Sequence, residues 1–374
     1  MKLLDMRNAR LLLLDAVFFL SAIAGMQGSR LVRVGVMLPL KSKEGVVSPR
    51  AVDFYRGLVL AMDSLRKEGN SFQVYTFNTA NTHINKILAD TIIPRLDVIF
   101  GPDDRTVLKV LSDFTMPNKT KVVDAFAPAC DAVLTNPYFY VAYAPAETVA
   151  EDAANLFSAH FSPLKPNVIL IDTKKVAHPF VAELKKKVGK VRFLQHDFTS
   201  NQLASRLGKN KVNVIVLSSA DKESALSVMK QLAAFRQQNS AYDIRVIGYP
   251  EWEDYKAEMQ GLMHGTDTYV YAAFYNNGLS QRNRSFESQY SSLFRKSMDK
   301  QRPVMAMYGF DCGYFMLKAL CRYGKDYAGQ DVYAAPLQNM FHYKSVGNSG
   351  GKMNHSILFV HYKKDGHVEL ITIK

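Results

Sequence analysis

The sequence predicts an α/β protein built from two successive, similar halves. Short runs of β-branched and other apolar residues alternate with longer amphipathic windows, which is typical of βαβ units with parallel strands. This alternation restarts after residues 143–147. The 374 residues, of which 48% are hydrophobic, could fill one large core or two of ordinary size. Two lobes therefore fit the pattern better than one.

The first half begins with the apolar run LVRVGVML at 31–38, which predicts a strand. After a loop at 39–50, residues 51–67 place apolar side chains on one helical face. The other elements predicted in this half are strands at 72–77, 97–100, 121–125 and 138–142, and helices at about 84–93 and 105–114.

The second half repeats the alternation of strands and helices and then ends in two helices and a hairpin. Strands are predicted at 167–172, 191–196, 213–217, 243–247 and 268–273, and helices at 148–160, 180–188, 200–207 and 222–237. Helices at about 284–300 and 305–323 follow. The chain ends in two strands at 356–362 and 367–373, and the Asp365-Gly366 pair between them favours a hairpin turn.

The amino terminus predicts a secretory signal peptide at residues 1–24. Three basic residues among the first ten precede an apolar stretch at 11–24, which only Asp15 and Ser21 interrupt, and residues 22–24 have the small-x-small form of a cleavage site. The stretch is too short for a comfortable membrane-spanning helix, and an acid inside it is too costly. We therefore expect a periplasmic protein without a transmembrane span in its mature chain.

The charge is strongly basic but dispersed. There are 47 Lys and Arg against 34 Asp and Glu, a formal net charge of +13, yet the basic residues occur in twos and threes. No aromatic residues interleave with them as a single-strand binder would need, so nucleic acid is not an expected partner. The charge would also suit anionic lipid or an acidic wall polymer.

The three cysteines predict no disulfide framework. Their number is odd, and Cys312 and Cys321 lie on one predicted helix, where nine residues hold them roughly 13 Å apart, beyond disulfide reach. Cys130 and these two residues are expected to be small buried hydrophobes.

Catalytic signatures are mostly missing from the sequence. It has no phosphate-binding Gly-Lys-Ser/Thr loop, no Gly-rich dinucleotide turn after the first strand, and no histidine or cysteine pair at zinc spacing. The GNSGG run at 347–351 is close to the sequence around the nucleophile of trypsin-like proteases. Those proteases hold the nucleophile with a base and an orienting acid on a double β-barrel, which the α/β alternation of this sequence contradicts. We expect neither an enzyme nor a cofactor nor a metal.

Polar and aromatic residues cluster where predicted parallel strands end, which is where open α/β sheets bind ligands. Two sets, one from each half, suit a cleft that closes on a ligand. They are Lys41, Ser42, Ser48, Asp103, Asp104, Arg105, Asp124 and Phe126 in the first half, and Asp172, Thr173, Ser218, Ser219, Glu251 and Trp252 in the second.

Four segments resemble the type I periplasmic-binding fold of Leu/Ile/Val-binding proteins: VGVMLPL at 34–40, AVDFYRGLVLAMDSL at 51–65, IFGP at 99–102 and GGKMNHSILFVHYKKDG at 350–366. More narrowly, they are similar to extracytoplasmic solute-binding proteins of the Bacteroidetes type. The resemblance spans residues 31–374. A LysM module, which such proteins often carry upstream, is not expected here.

This resemblance implies two Rossmann-like lobes joined by three hinge crossings, with a ligand held between them. The crossings would lie near 143–147, 274–278 and 341–347. Lobe 1 would then comprise 30–144 plus 276–340, and lobe 2 would comprise 145–275 plus 341–374.

The resemblance also suggests ligand chemistry, chiefly through departures from it. Branched-chain amino-acid receptors have a Ser/Thr-rich turn where this chain has Asp103-Asp104-Arg105, so a cationic or amine-bearing ligand is favoured unless Arg105 supplies a counter-charge. Glu251 would hold an amino group. Trp252 would form a flat wall with Tyr143 and Tyr275, or would instead pack inside its lobe. The expected ligand-binding residues are Ser42, Asp103, Asp104, Arg105, Asp124, Phe126, Tyr143, Ser218, Ser219, Glu251, Trp252 and Tyr275.

The expected function is that of a secreted, non-catalytic solute-binding protein for a small polar ligand of amino-acid or peptide type. Its partners could include a membrane transporter or a cell-wall component. The alternative is a cell-envelope structural or regulatory protein that uses the same fold to bind peptidoglycan or a protein. That alternative predicts a filled or misaligned cleft and a basic outer surface.

Overall fold

The structure is a computed structural model that describes residues 30–126 and 130–372. The predicted signal peptide at 1–24 lies outside the described residues. No helix within the described ranges is both long enough and apolar enough to cross a bilayer.

The described chain alternates strands and helices. The strands are β1 (Leu31–Leu38), β2 (Ser71–Asn78), β3 (Val98–Phe100), β4 (Lys121–Asp124), β5 (Phe139–Val141), β6 (Asn167–Asp172), β7 (Val191–Gln195), β8 (Val212–Leu217), β9 (Asp243–Gly248), β10 (Thr268–Ala272), β11 (Tyr343–Ser345), β12 (Lys352–Asn354), β13 (Leu358–Tyr362) and β14 (Val368–Thr372). The helices are α1 (Pro49–Lys67), α2 (Ile84–Leu88), α3 (Arg105–Thr115), α4 (Ala146–Phe161), α5 (Pro179–Lys187), α6 (Ser200–Arg206), α7 (Lys222–Gln238), α8 (Lys256–Gly265), α9 (Gln281–Phe294) and α10 (Met305–Tyr323).

The strands form two sheets of seven strands, one in each lobe. Their orders are β11-β12-β5-β4-β3-β1-β2 and β14-β13-β10-β9-β8-β6-β7. Each sheet contains five parallel strands in the same doubly wound order, followed by two further strands that are antiparallel to each other. In the first sheet the inner of these two, β12, is parallel to its neighbour β5, whereas in the second sheet β13 is antiparallel to β10. The predicted fold class, two similar α/β lobes, is confirmed.

The chain passes between the two sheets three times. It crosses from β5 to α4, returns from β10 to α9, and crosses again between β12 and β13. The first two passages leave from the carboxyl ends of parallel strands. The carboxyl edges of the two sheets therefore face each other across the crossings.

The third crossing lies later than the predicted 341–347. Residues 343–354 belong to the first sheet, because β12 pairs in parallel with β5, so their assignment to lobe 2 is wrong. Gly351 permits this pairing, since a Cβ there would lie 2.2 Å from the carbonyl oxygen of Phe139. Three-residue strands carry too little hydrophobic periodicity for the sequence to reveal them.

Helices α1 and α10 pack backbone against backbone in the first lobe. A Cβ on Gly57 would lie 1.9 Å from the carbonyl oxygen of Ala306, and one on Gly309 would lie 2.0 Å from that of Phe54. This close approach brings the rings of Phe54 and Tyr308 into an edge-to-face contact with centroids 5.6 Å apart. The two glycines thus position an aromatic pair at the cleft side of the lobe.

Two of the three cysteines are buried as the sequence predicts, and the third is partly buried. All three are free, with Cys130 and Cys312 buried and Cys321 partly buried. Cys312 and Cys321 lie on the same helix, α10. Burial raises the pKa of the Cys321 thiol to about 11, which keeps it protonated near neutral pH.

Candidate functional site

The candidate site consists of two half-sites on the facing edges of the two sheets. The first half-site comprises Arg50, Phe54, Asp103, Asp124, Phe126, Tyr143 and Tyr308. The second half-site comprises Thr173, His178, Ser218, Ser219, Tyr249, Glu251 and Tyr271. Each set follows the carboxyl ends of parallel strands or packs directly against them.

Asp124, the last residue of β4, is the buried carboxylate of the first half-site. It is 1% exposed, and its Oδ1 accepts a hydrogen bond of 3.2 Å from the backbone N–H of Phe126. Burial raises the pKa of the Tyr308 hydroxyl, and the negative charge of Asp124 raises it further. The Asp124 carboxylate and the Tyr308 side chain are both buried in the first lobe.

The turn after β3 supplies a second acidic group. Asp103 is exposed; partial burial raises its pKa, while its own backbone N–H and the charge of Arg50 counteract part of that rise. Asp104 is the N-cap of α3, where its Oδ1 accepts a 2.9 Å hydrogen bond from the N–H of Val107. Arg105 is exposed at the first turn of the same helix. Of these two carboxylates, that of Asp104 therefore caps the helix, whereas that of Asp103 is open to solvent.

Aromatic rings line the first half-site. Phe126 packs edge-on against Phe54 with centroids 4.8 Å apart, and the Arg50 guanidinium lies 5.3 Å from the Phe126 ring centroid. The ring of Tyr143 lies edge-on to that of Tyr308, with centroids 6.4 Å apart. Phe126 and Tyr143 were predicted, whereas Arg50, Phe54 and Tyr308 were missed. These three residues lie on the helices α1 and α10. Tertiary packing brings them to the site, and the prediction considered only residues that follow strands.

Three hydroxyl groups form a compact network in the second half-site. The Thr173 hydroxyl lies 2.9 Å from the Ser218 hydroxyl and 2.8 Å from that of Ser219. The Ser218 oxygen also accepts a 2.9 Å hydrogen bond from the backbone N–H of Thr173. All three side chains are buried. The network joins the ends of β6 and β8 and places the predicted pair Ser218 and Ser219 together.

An imidazole and a carboxylate pair beside these hydroxyl groups. His178 Nε2 lies 3.4 Å from Glu251 Oε1, and His178 Nδ1 accepts a 3.2 Å hydrogen bond from the N–H of Phe180 at the start of α5. The His178 ring lies 4.4 Å from that of Tyr249, and the Tyr271 hydroxyl is 3.3 Å from Nδ1. Burial raises the pKa of Glu251, but the hydrogen bond from His178 and the charges of His178 and Arg302 bring it below its usual value.

The sequence missed His178, Tyr249 and Tyr271. A signal for His178 existed, because Pro179 follows it at the first position of a helix, where an N-cap residue is expected. Tyr249 and Tyr271 are fully buried under the imidazole, and their apolar strand context indicated only core packing.

The prediction that Trp252 lines the cleft is wrong. Trp252 is 0% exposed and belongs to the core of the second lobe, which is the alternative that the sequence left open. A Cβ on Gly248 would lie 2.6 Å from its ring, so the glycine provides the space that the indole fills. An aromatic residue in the turn that follows a strand can pack back onto its own sheet as readily as it can face a cleft.

Two further predicted residues lie at the margins of the half-sites. Ser42 closes a loop turn, where its Oγ accepts a 3.3 Å hydrogen bond from the N–H of Val46. Tyr275 lies in the second crossing: its backbone N–H donates to the carbonyl oxygen of Gln338 at 2.9 Å, and Lys256 lies 5.2 Å from its ring centroid. Contact of these two residues with a ligand stays a prediction.

Metal-binding residues do not converge in the described part of the chain. Among residues 30–126 and 130–372, no group of three or more His, Cys, Asp or Glu side chains is arranged to hold a metal ion.

Comparison with known proteins identifies the fold. No protein-family model matches the sequence, and no curated protein matches it. Among solved structures, the chain is similar to a putative branched-chain amino acid ABC transporter from Rhodospirillum rubrum, with a TM-score of 0.62 and 14% identity over 91% of this chain and 100% of that one. It is also similar to a branched-chain amino acid ABC transporter periplasmic ligand-binding protein from Burkholderia xenovorans LB400, with a TM-score of 0.51 and 13% identity over 91% of this chain and 94% of that one. The two lobes therefore have the type I periplasmic-binding fold.

Proposed function

We propose that this protein is a non-catalytic solute-binding protein that holds a small polar ligand of amino-acid or peptide type between its lobes. The observation that carries the proposal is the placement of two chemically complementary half-sites on facing sheet edges, joined by three crossings. Lobes joined in this way can close on a ligand by bending at the crossings.

The half-sites offer groups that match such a ligand. Asp103 and Glu251 are exposed and can pair with an amino group, and the buried Asp124 adds negative charge to the half-site of Asp103. The hydroxyl groups around Ser218 can exchange hydrogen bonds with polar atoms. Arg50 supplies a positive charge for a carboxylate, and it lies on the ring of Phe126, which can cover apolar parts of the ligand. Both solved proteins named above are described as parts of branched-chain amino acid transport systems, which supports the amino-acid class.

The same groups support binding rather than catalysis. His178 directs its two ring nitrogens to Glu251 and to the backbone of α5, with the Tyr271 hydroxyl nearby. The hydroxyl groups of Ser218 and Ser219 instead bond to Thr173. Within the described half-sites no serine hydroxyl is hydrogen-bonded to an imidazole, so the arrangement lacks the nucleophile and base pair of a hydrolase.

Export would complete this function. The predicted signal peptide at 1–24 would deliver the chain to the periplasm, where a membrane transporter could take the ligand from it. These points rest on the sequence pattern and on the fold that the chain shares with periplasmic binding proteins.

A thermal-shift screen of the chain without residues 1–24 tests the proposal. The probes are amino acids, polyamines, short peptides and cell-wall fragments. A ligand at 100 times its dissociation constant stabilises the folded state by about 2.7 kcal/mol, which is readily measured. Glu251→Gln should weaken an amine-bearing ligand, whereas Glu183→Gln, which removes a carboxylate paired within α5, should not.

The outcome also separates the two functions that the sequence left open. No shift with any probe class would contradict the solute-binding proposal. Salt-sensitive sedimentation with isolated sacculi would, in that event, favour the cell-envelope alternative.

A further inference from the structure

A strongly basic concavity lies on the second lobe, at the edge of its sheet opposite the half-sites. Two adjoining depressions of about 500 and 390 Å³ share Lys209, Asn210 and Lys211. The loops that precede β6, β7, β8 and β9 form their walls. We call this surface the basic concavity and define it by Lys165, Lys190, Arg192, Lys209 and Lys211.

The five cations of the basic concavity are exposed and lack ion-pair partners. None of them lies within 4.0 Å of a carboxylate oxygen among residues 30–126 and 130–372. One acidic residue lines the concavity, Asp243, and its carboxylate is paired with Arg245 at 3.1 Å. The positive charges therefore repel one another, and an anion bound among them would relieve that repulsion.

Buried hydrogen bonds fix the backbone that carries these cations. The fully buried amide of Asn213 accepts a hydrogen bond from the N–H of Gly208 at 2.7 Å and donates to the carbonyl oxygens of Gly208 at 2.9 Å and Lys211 at 3.0 Å. On β7, which β6 separates from β8 in the sheet, the Arg192 guanidinium donates to the carbonyl oxygen of Arg206 at 2.9 Å. Because the loops are already ordered, a bound anion would not have to order them.

We infer that the basic concavity is a binding site for a ligand that carries two or more phosphate groups. One carboxylate or one phosphate would leave most of the five cations unneutralised. Lysines act as point charges for phosphate, and the single arginine adds a planar donor for its oxygens. The amide of Asn210, shared by both depressions, is available for further hydrogen bonds.

This site goes beyond the proposed function, because it lies on one lobe only and at the opposite edge of the sheet. A ligand there leaves the cleft open. The phosphate groups could belong to a soluble oligophosphate or to the headgroups of an anionic lipid surface, and the experiment separates these two sources.

The test measures two probes on the chain without residues 1–24. Sodium tripolyphosphate binding is measured by calorimetry at low and high salt. Lipid binding is measured by co-sedimentation with phosphatidylcholine vesicles that contain or lack phosphatidylglycerol. Both are repeated on Lys209→Gln/Lys211→Gln, and on the charge-matched control Lys86→Gln/Lys344→Gln, which removes two exposed lysines from the first lobe.

The expected result is that the Lys209/Lys211 double variant binds at least one probe about tenfold more weakly, because two charge-assisted contacts are lost. The control should bind like the parent chain. If the Lys209/Lys211 double variant loses affinity only for tripolyphosphate, the ligand is a soluble oligophosphate. If it loses affinity only for anionic vesicles, the ligand is a lipid headgroup. Equal weakening in both double variants would reduce the effect to net charge and overturn the inference, as would no binding of either probe at low salt.

Discussion

Arg302 of the first lobe contacts Asp254 of the second: its Nη1 lies 3.0 Å from Oδ1 of the carboxylate. The guanidinium also approaches the carbonyl oxygen of Pro250 at 3.4 Å and the ring centroid of Phe274 at 5.6 Å. The segment that carries Arg302 is held in the first lobe, because the backbone N–H of Asp299 donates a 3.3 Å hydrogen bond to Oδ2 of Asp53 on α1. The contact therefore bridges the lobes beside the second half-site.

Arg302→Gln should shift the protein towards a more open arrangement. Asp254 is 62% exposed, so the ion pair contributes no more than about 1 kcal/mol, but this would change an open-to-closed ratio by up to about fivefold. Small-angle X-ray scattering should show a larger radius of gyration for the variant, and high salt should move the parent chain in the same direction. Lys300→Gln is the matched control, because Lys300 pairs with Glu287 inside the first lobe. An unchanged radius in Arg302→Gln would show that the contact does not bias closure.

The sequence predicted the parallel strands because each carries its own local pattern. NVILID at 167–172 became β6 with the same bounds, and the Asp365-Gly366 turn became the terminal hairpin, where Gly366 has φ of 84°. In contrast, β11 and β12 have three residues each, and their place in the first sheet depends on pairing with β5, more than 200 residues away in the chain. No local pattern encodes such a pairing, so the third crossing was misplaced.

The residues of the candidate site were likewise predicted only in part. Strand ends led to Asp124, Phe126, Ser218, Ser219 and Glu251, since parallel strands bring their carboxyl ends to one edge of a sheet. Side chains that helices bring to that edge were not found, because helical periodicity shows which residues are buried and not what they pack against. Trp252, four residues after β9, was assigned to the cleft for a related reason: its position in the chain does not decide between the cleft and the core.

Trp252 should behave as a core residue in solution. As the single tryptophan of the chain and fully buried, it should fluoresce without quenching by iodide until the protein unfolds. Its Nε1 has no hydrogen-bond partner among the described residues, so Trp252→Phe removes packing only and should cost about 1–2 kcal/mol. Iodide quenching of the native protein would instead place the indole in contact with solvent and restore the cleft assignment.

Gly309→Ala should destabilise the first lobe, since the new Cβ would lie 2.0 Å from the carbonyl oxygen of Phe54 and neither backbone can yield easily. We expect a loss of about 2–3 kcal/mol in the free energy of unfolding, measured by denaturant titration. Gly261→Ala is the opposite case. That glycine lies on the exposed side of α8 with no atom within 4 Å of the new Cβ, so the change should stabilise by about 0.5–1 kcal/mol. A similar effect of both substitutions would contradict the close packing of α1 on α10.

Lys121 should give the stability a distinctive dependence on alkaline pH. Its buried ammonium donates to the carbonyl oxygen of Lys325 at 2.8 Å, and burial lowers its pKa from 10.5 to about 8. Between these values the unfolded chain holds a proton that the folded chain has released, so stability rises with pH in this window. The free energy of unfolding of the parent chain should therefore increase relative to Lys121→Met from about pH 8 to 10. A constant difference between the two would contradict this assignment.

Asp311→Asn should weaken the anchor of the second crossing. The buried carboxylate on α10 accepts three backbone hydrogen bonds of 2.8 Å from residues 337–339, and this segment in turn pairs with the crossing through the N–H of Tyr275. An asparagine offers one acceptor oxygen and turns an NH₂ group towards a backbone donor. At least one buried N–H would then lose its partner, at a cost of about 3 kcal/mol. Denaturant titration should show this loss, and hydrogen exchange should accelerate at the amides of 337–339 before global unfolding.

Asp113→Asn, which removes an exposed carboxylate paired with Lys109, is the control and should change stability by less than about 0.5 kcal/mol. If the two variants were equally stable, the carboxylate would not be what fixes this crossing.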